Sequence, residues 1–438
     1  MSQGHEAINI VSDIKEIHGK SFDYIIVGGG TSGCPLAATL SERFTVLLVE
    51  RGGSPFEDPL IMEKKNALYQ EGVPNNRGRV LGGSSAINGG VYSRTSIDHI
   101  ESAGWDGKLV EESYGWVESK MVFQPTELSP MQNNTKEIFV RAGILPFKGF
   151  SLEHVVGTKI AGTTFDQNGK RHCSAHLLKA GEPTRLTVLL NTTVKNLIFC
   201  QDNGGKLRTR GIKFINIYGS VNITCEAYLK EPKLSDFWGD VVLCAGALGS
   251  PQILMLSGIG PQEHLNKFNI TALINQPQVG QGISDNPIIN FALDVSKVPL
   301  PHAEPSQVIG VTNASQFLIQ LAKLPYPRSK GKVELKSIDP RQNPSVKFNY
   351  LEDEHDLDEC VKMIGEMEKV SKSIDSVLST KYSEQISKII SEYNVHGVMG
   401  LRVVDASILN DLMGASPMGT LLMLGRYMGI KILKEREK

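Results

Sequence analysis

The sequence predicts an α/β protein: a parallel-sheet domain and a second, α+β domain whose sheet is antiparallel. Three observations predict it. An apolar β-rich run at 23–27 enters a glycine turn and is followed by a helical stretch and a second buried strand. Alternating apolar runs joined by turns fill 186–230, the pattern of antiparallel strands. At 438 residues the chain is also too long for one ordinary core, so two domains are expected.

Composition narrows the function classes. Apolar residues make up 40 % and charged residues 21 %, a globular and not a disordered balance. With 46 basic against 47 acidic side chains, no electrostatic pull toward nucleic acid or anionic membrane is expected. No apolar stretch is long enough to span a bilayer. Six cysteines are scattered without a CxxC pair or metal-ligand spacing, so neither a disulfide scaffold nor a metal centre is expected. Cys34 and Cys244 lie beside glycine turns and read as small buried packing residues. The first twenty residues carry no apolar run, so no signal peptide is read there. Against that stand five glycosylation sequons, at Asn133, Asn191, Asn222, Asn269 and Asn313, which point toward secretory ancestry and leave localisation open.

Along the chain, DYIIV (23–27) reads as a strand and CPLAATLSERF (34–44) as a helix, with Pro35 tolerable in its first turn. TVLLVE (45–50) is a second buried strand. After a polar stretch comes a second glycine cluster at 78–90, and an amphipathic segment lies around Tyr114–Val122. LTVLLNTTVKNLIF, RGIKFINI and VNITCEAYL read as antiparallel strands, with a turn at Asp202-Asn-Gly-Gly. VVLCAGAL (241–248) is a strand entering a helix. Residues 355–379 and 418–434 are helical.

Gly28-x-Gly30-x-x-Gly33 sits where the chemistry of a dinucleotide requires it, after a strand and before a helix. Gly28 permits the tight turn, Gly30 lets a pyrophosphate approach the backbone, and Gly33 lets helix and strand pack closely. The helix N-terminus, with Thr31 and Ser32 before it, offers its amides to phosphate. Glu50, 22 residues after Gly28 and followed by Arg51, suits adenosine ribose hydroxyls. This is a Rossmann-like fingerprint, and alone it does not separate FAD from NAD.

Three further segments carry a family resemblance. GRVLGGSSAINGGVYSR (78–94) and GALGSPQILMLSGIG (246–260) resemble the two signatures of the glucose–methanol–choline (GMC) oxidoreductases. GLRVVDASIL (400–409) with LLMLGRYMGIKI (421–432) resembles their C-terminal end. VGGGTSGCPLAATLSE, GFSLEHVVGTKIAGTTFD and SVKFNY are similar to the plant mandelonitrile lyase branch. The resemblance runs from about Ser21 onward.

It implies FAD as cofactor and a discontinuous FAD-binding domain at 20–96, 160–288 and 393–438, with a substrate-binding domain at 97–159 and 289–392. It implies that Val80, Gly83, Ser84 and Asn88-Gly89-Gly90-Val91 approach the cofactor, that Val194 pairs with adenine, and that Ala245-Gly246 packs on the nucleotide. Asp405 and Ala406 are placed at the flavin and ribityl chain, where the family usually has Asp-Gly, and Pro417 and Met418 beside them. A small aromatic cyanohydrin or alcohol and a monomeric state are implied as well.

Catalysis in this family needs a base for a hydroxyl proton, normally a histidine. Here the block carrying the first histidine is expected to be deleted, since KYSEQISKIIS runs straight into EYNVHGVMGLRVVD. Ser416 takes the second catalytic position and Met418 replaces the usual glutamine. A further shortening is read around 315–325. His396 is a substitute on an ordinarily apolar position, and Ser416 would need its own base. His172 and His176 read as packing or surface residues. The functions in view are cyanohydrin cleavage, FAD-dependent alcohol oxidation, and a non-catalytic flavoprotein or truncated gene product.

Overall fold

The computed structural model describes residues 8–66, 77–201, 204–219, 223–231, 239–286, 307–312, 324, 326–373, 387–388, 401–408 and 417–436. His396, Ser416, the sequons at Asn222 and Asn313, Asp202-Asn203 and most of 315–325 lie outside them.

Five strands rich in Val, Ile and Leu join Asn9–Val11 in a six-stranded, wholly parallel sheet. Its order is Asn9–Val11, Leu186–Leu189, Val46–Val49, Tyr24–Val27, Val241–Leu243 and Leu401–Val403. Four of these strands are buried at every position or all but one, as expected of strands covered on both faces. Helices Gly33–Ser41 and Pro417–Glu435 pack on one another, and Gly425 and Gly429 make this possible. A Cβ on Gly425 would lie 2.2 Å from the Ser32 carbonyl, and one on Gly429 2.6 Å from Thr39. The two ends of the chain are therefore locked over the same sheet.

The run LTVLLNTTVKNLIF does not form one antiparallel strand. It divides at Asn191, whose φ of 53° is left-handed, a conformation that asparagine tolerates better than most residues. Before it, Leu186–Leu189 joins the parallel sheet; after it, Thr192–Gln201 turns into an antiparallel sheet with Leu207–Asn216 and Cys225–Leu229. The amphipathic segment extends to Gly107–Met121, started by the Asp106 side chain, which accepts from the Lys108 and Leu109 amides. The charged helix runs Glu354–Lys372.

Beyond this lie two smaller sheets, one mixed and one antiparallel. Val308–Val311 pairs antiparallel with Gly157–Ile160, which pairs parallel with Phe147–Phe150. Gln281–Asp285 pairs with Gly331–Glu334 and with Ser387–Lys388, and Gly331–Glu334 with Ser345–Lys347. The expected boundary at 288 thus follows a strand whose partner lies on its other side. Among the described residues no helix is long and apolar enough to cross a membrane, and all six cysteines are free, Cys34 and Cys244 being buried.

Candidate cofactor cleft

The glycine turn at the end of Tyr24–Val27 opens into a cleft of about 430 Å³ above the carboxyl ends of the parallel strands. Two of its three glycines are dictated by the protein itself. A Cβ on Gly28, whose φ is +110°, would sit 2.3 Å from the Cys244 carbonyl oxygen; one on Gly33 would sit 2.0 Å from the Gly28 carbonyl oxygen. Gly30 differs. Its added Cβ would meet nothing nearer than 3.8 Å, ordinary contact, yet it lines the cleft. The protein does not require glycine there, so the space is left for something that enters the cleft.

The second glycine segment is laced onto the first. The amides of Leu81 and Gly82 donate to the Gly53 and Gly29 carbonyls at 2.9 and 2.7 Å. Gly83, at φ +54°, lies so close that a Cβ would come within 2.7 Å of the Gly30 Cα. Helix Gly33–Ser41 starts without a side-chain cap, because the Ser32 hydroxyl donates instead to the Val404 carbonyl at 2.7 Å. The Cys34 amide donates to the Gly30 carbonyl at 3.1 Å and Pro35 has none, so of the first three helical residues Gly33 is the one whose amide remains for an anion in the cleft.

Two buried carboxylates frame the opening. Glu50 accepts from the Gly29 amide at 2.9 Å and the Gly52 amide at 2.7 Å. Burial pushes its carboxyl above the usual range, while those amides pull the other way. Asp405 is held at both oxygens. One accepts from the Gly246 amide (2.8 Å) and the Ser250 hydroxyl (2.5 Å), the other from the Ser407 amide and hydroxyl. Burial raises its pKa, opposed by the two serines.

Of the expected cofactor residues, Gly28, Gly30, Thr31 and Ser32 line the cleft, as do Glu50, Arg51, Gly83 and Ser84. Val194, Ala245, Gly246, Asp405, Ala406 and Pro417 line it too. Gly33 and Val80 lie behind this lining. Asn88, Gly89, Gly90, Val91 and Met418 also fall outside it, but Asn88 and Met418 meet, Asn88 Nδ2 donating to the Met418 sulfur at 3.0 Å. The amide oxygen of Asn88 accepts from the Gly90 amide and from Arg171.

Sequence reasoning missed Arg77 and Arg79, which join Arg51 on the lining, and Phe348 and Asn286 on the far wall. Desolvation, and then repulsion between like charges, lowers the pKa of both Arg51 and Arg77. The two arginines at 77 and 79 were the signal available; nothing local marked the far wall. Arg171 was also missed, although it is fully buried and holds Asn88.

Among the described residues no histidine lines the cleft. His172 and His176 stack on each other at 4.8 Å, with His172 3.4 Å from Asp166, and so are packing residues. Burial pushes the His176 imidazole down to about 4.

Family models described as GMC oxidoreductase match residues 22–288 and, for the C-terminal part, 327–388. An (R)-mandelonitrile lyase-like protein of Arabidopsis thaliana is 36 % identical, covering 95 % of this chain and 90 % of its own. Sinalpyl alcohol oxidase Nec3 of Nesocodon mauritianus is 32 % identical over 99 % of this chain and 91 % of its own. Among solved structures, a formate oxidase of Aspergillus oryzae superposes with a TM-score of 0.77 at 17 % identity, covering 96 % and 99 % of the two chains. The first of these alignments extends over 509 residues, longer than the 438-residue chain, so it carries internal gaps on this chain's side.

Proposed function

The chain belongs to the GMC oxidoreductase family, and from that premise we propose that it holds FAD in this cleft and handles aromatic cyanohydrins with an impaired proton-transfer step. The observation that carries the reading is the contrast within one site. The Gly28–Ser32 turn, Glu50 and Asp405 line one cleft in which Gly30 has open space beside it, while no described histidine lines that cleft.

In this reading the Gly28–Gly33 turn and the helix after it receive the diphosphate. Glu50 takes ribose hydroxyls and Val194 adenine. Ser84, Asn88 to Val91, Asp405, Ala406, Pro417 and Met418 approach the ring system. FAD would supply a flat aromatic floor and, in an oxidase, a hydride acceptor. Cleaving a cyanohydrin to aldehyde and hydrogen cyanide requires removal of the hydroxyl proton. A serine at 416 cannot take that proton unaided. The gaps in the alignment on this chain's side support shortened segments, and the sequence reading puts one of them where the resemblance expects the base. The division into FAD-binding (20–96, 160–288, 393–438) and substrate-binding parts (97–159, 289–392) and a monomeric state belong to the same proposal.

The test is an absorbance spectrum of the purified protein, then mandelonitrile cleavage by the same sample. Flavin bands with slow cleavage support the proposal. Cleavage at an undiminished rate would overturn the impairment and make His396→Ala the next variant. Absence of flavin would overturn the cofactor assignment. A second reading, alcohol oxidation, is favoured by the similarity to the sinalpyl alcohol oxidase. Aryl-alcohol-dependent oxygen consumption separates it from lyase activity. Bound flavin with neither activity would mark a non-catalytic flavoprotein.

A further inference from the structure

The Gly30 carbonyl is held by a residue far away in the chain. Ser174, fully buried at the start of the short helix Ser174–Ala180, places its hydroxyl 3.0 Å from the Gly30 carbonyl oxygen and 3.1 Å from that of Gly82. Ser85 lies beside it and is buried as well. The Ser85 hydroxyl is 2.6 Å from the Gly82 carbonyl and accepts from the Ser174 amide at 3.0 Å. The two hydroxyl oxygens are 3.2 Å apart. Each hydroxyl carries one proton. That of Ser85 goes to Gly82, the shortest of these contacts, which leaves the Ser174 proton to Gly30.

The direction of one peptide plane follows. Among the described residues only Leu145-Pro146 is cis, so the Gly30–Thr31 peptide is trans and its N–H points opposite to its C=O. The Gly30 oxygen also accepts from the Cys34 amide at 3.1 Å, inside the helix that begins at Gly33. The carbonyl thus points down the helix and toward Ser174, which does not line the cleft, while the Thr31 N–H points out past the helix N-terminus. Thr31 does line the cleft, and its amide has no hydrogen-bond partner among the described residues. Gly30 itself does little to fix this plane. Without a Cβ, and with open space beside it, its ψ is free to turn the peptide over.

We infer that Ser174 is a positioning residue for the cofactor: by holding the Gly30 carbonyl it aims the Thr31 amide, next to that of Gly33, at the diphosphate of FAD. This rests on the reading of the cleft as the FAD site and not on the chemistry performed there. Ser174 lies behind the lining, so its effect passes through one peptide plane and not through contact with the cofactor.

Phosphorus NMR of the FAD-loaded chain tests it, together with the dissociation constant of FAD from fluorescence. The native chain is expected to displace the diphosphate resonances from those of free FAD. Ser174→Ala is expected to bind FAD about tenfold more weakly, with the bound resonances moved from their native positions. Weaker binding with unmoved resonances, or lower stability with unchanged affinity, would make Ser174 a structural tie alone and overturn the assignment. Should Ser174→Ala fail to fold, the native chain labelled with ¹⁵N-threonine carries the test, Thr31→Ser serving to assign the resonance. The Thr31 amide proton is expected to move downfield on FAD loading, as an amide that gains a phosphate acceptor does, and an unmoved resonance would overturn the assignment. Failure of the native chain to bind FAD at all would overturn the cofactor reading and this inference with it, a result told apart from the others by the absence of any bound phosphorus signal.

Discussion

Asn88 and Met418 are joined across the cleft's rim, the amide nitrogen donating to the thioether sulfur at 3.0 Å. Sulfur is a weak acceptor, so most of the anchoring comes from the other end of the same amide. There the Asn88 oxygen accepts from the Gly90 amide at 3.0 Å and from Arg171 Nη1 at 3.2 Å. Arg171 is wholly buried, stacks its guanidinium 4.5 Å over Phe165, and spends its Nε on the Ile61 carbonyl.

Removing the Asn88 side chain therefore strands a charge. Burial already lowers the Arg171 pKa to about 10, and its Nη2 has no partner among the described residues. Asn88→Ala would leave Nη1 unmet as well. A loss of about 1–3 kcal/mol is expected, read as a lower urea midpoint. An unchanged midpoint would show that Arg171 finds another acceptor.

The three fingerprint glycines should separate in a substitution series. Gly33→Ala and Gly28→Ala force backbone apart and are expected to destabilise the protein even without cofactor. Gly30→Ala meets no closer atom than 3.8 Å, so the apoprotein's melting temperature should hardly move while flavin retention on gel filtration falls. If Gly30→Ala retains flavin like the native chain, the cofactor does not pass over that residue.

Asp405→Asn tests the second carboxylate. An asparagine offers one oxygen and one NH₂ to a site with donors on both sides. The serine hydroxyls can turn to accept, but the amides of Gly246 and Ser407 cannot. A cost of roughly 2–3 kcal/mol and faster flavin loss are expected, by urea unfolding and by fluorescence of released flavin. Full stability would mean that these four contacts are replaceable.

How much of this was legible follows from distance along the chain. Gly28, Gly30, Gly33 and Glu50 lie within one βαβ unit, where local spacing dictates contact. The 78–90 segment declared itself by composition. Asn191 was hidden because an apolar run whose polar positions include β-favouring threonines looks continuous until the Asn191 φ is known. Arg171 under Asn88, and Phe348 and Val194 on one cleft lining, are meetings of segments far apart in sequence, and no local pattern encodes them. The contacts of Asp405 to Gly246 and Ser250 were invisible for the same reason.

The last prediction concerns a buried pair that takes no part in the cleft. Lys159 is 1 % exposed, and its ammonium donates to Ser93 at 2.8 Å and to the Glu153 carbonyl. Burial lowers its pKa from 10.5 to about 8, with Glu153 opposing. His154 nearby falls from 6.5 to about 4, through burial and then the Lys159 charge. Both folded-state values lie below the unfolded ones, so in each window the unfolded chain binds more protons and stability rises with pH. For Lys159 the rise runs from about pH 8 to 10.5 and amounts to on the order of 3 kcal/mol. For His154 it runs from about pH 4 to 6.5. Other groups titrate in the same ranges, so the quantity to measure is the difference in urea midpoint between the native chain and Lys159→Met. That difference should shift in favour of the native chain as pH rises from 8 to 10.5, and His154→Phe should show the corresponding shift on the acid side. A difference that stays constant across pH 7.5–10.5 would mean that Lys159 keeps its proton at an ordinary pKa, and that Ser93 and Glu153 compensate its burial in full.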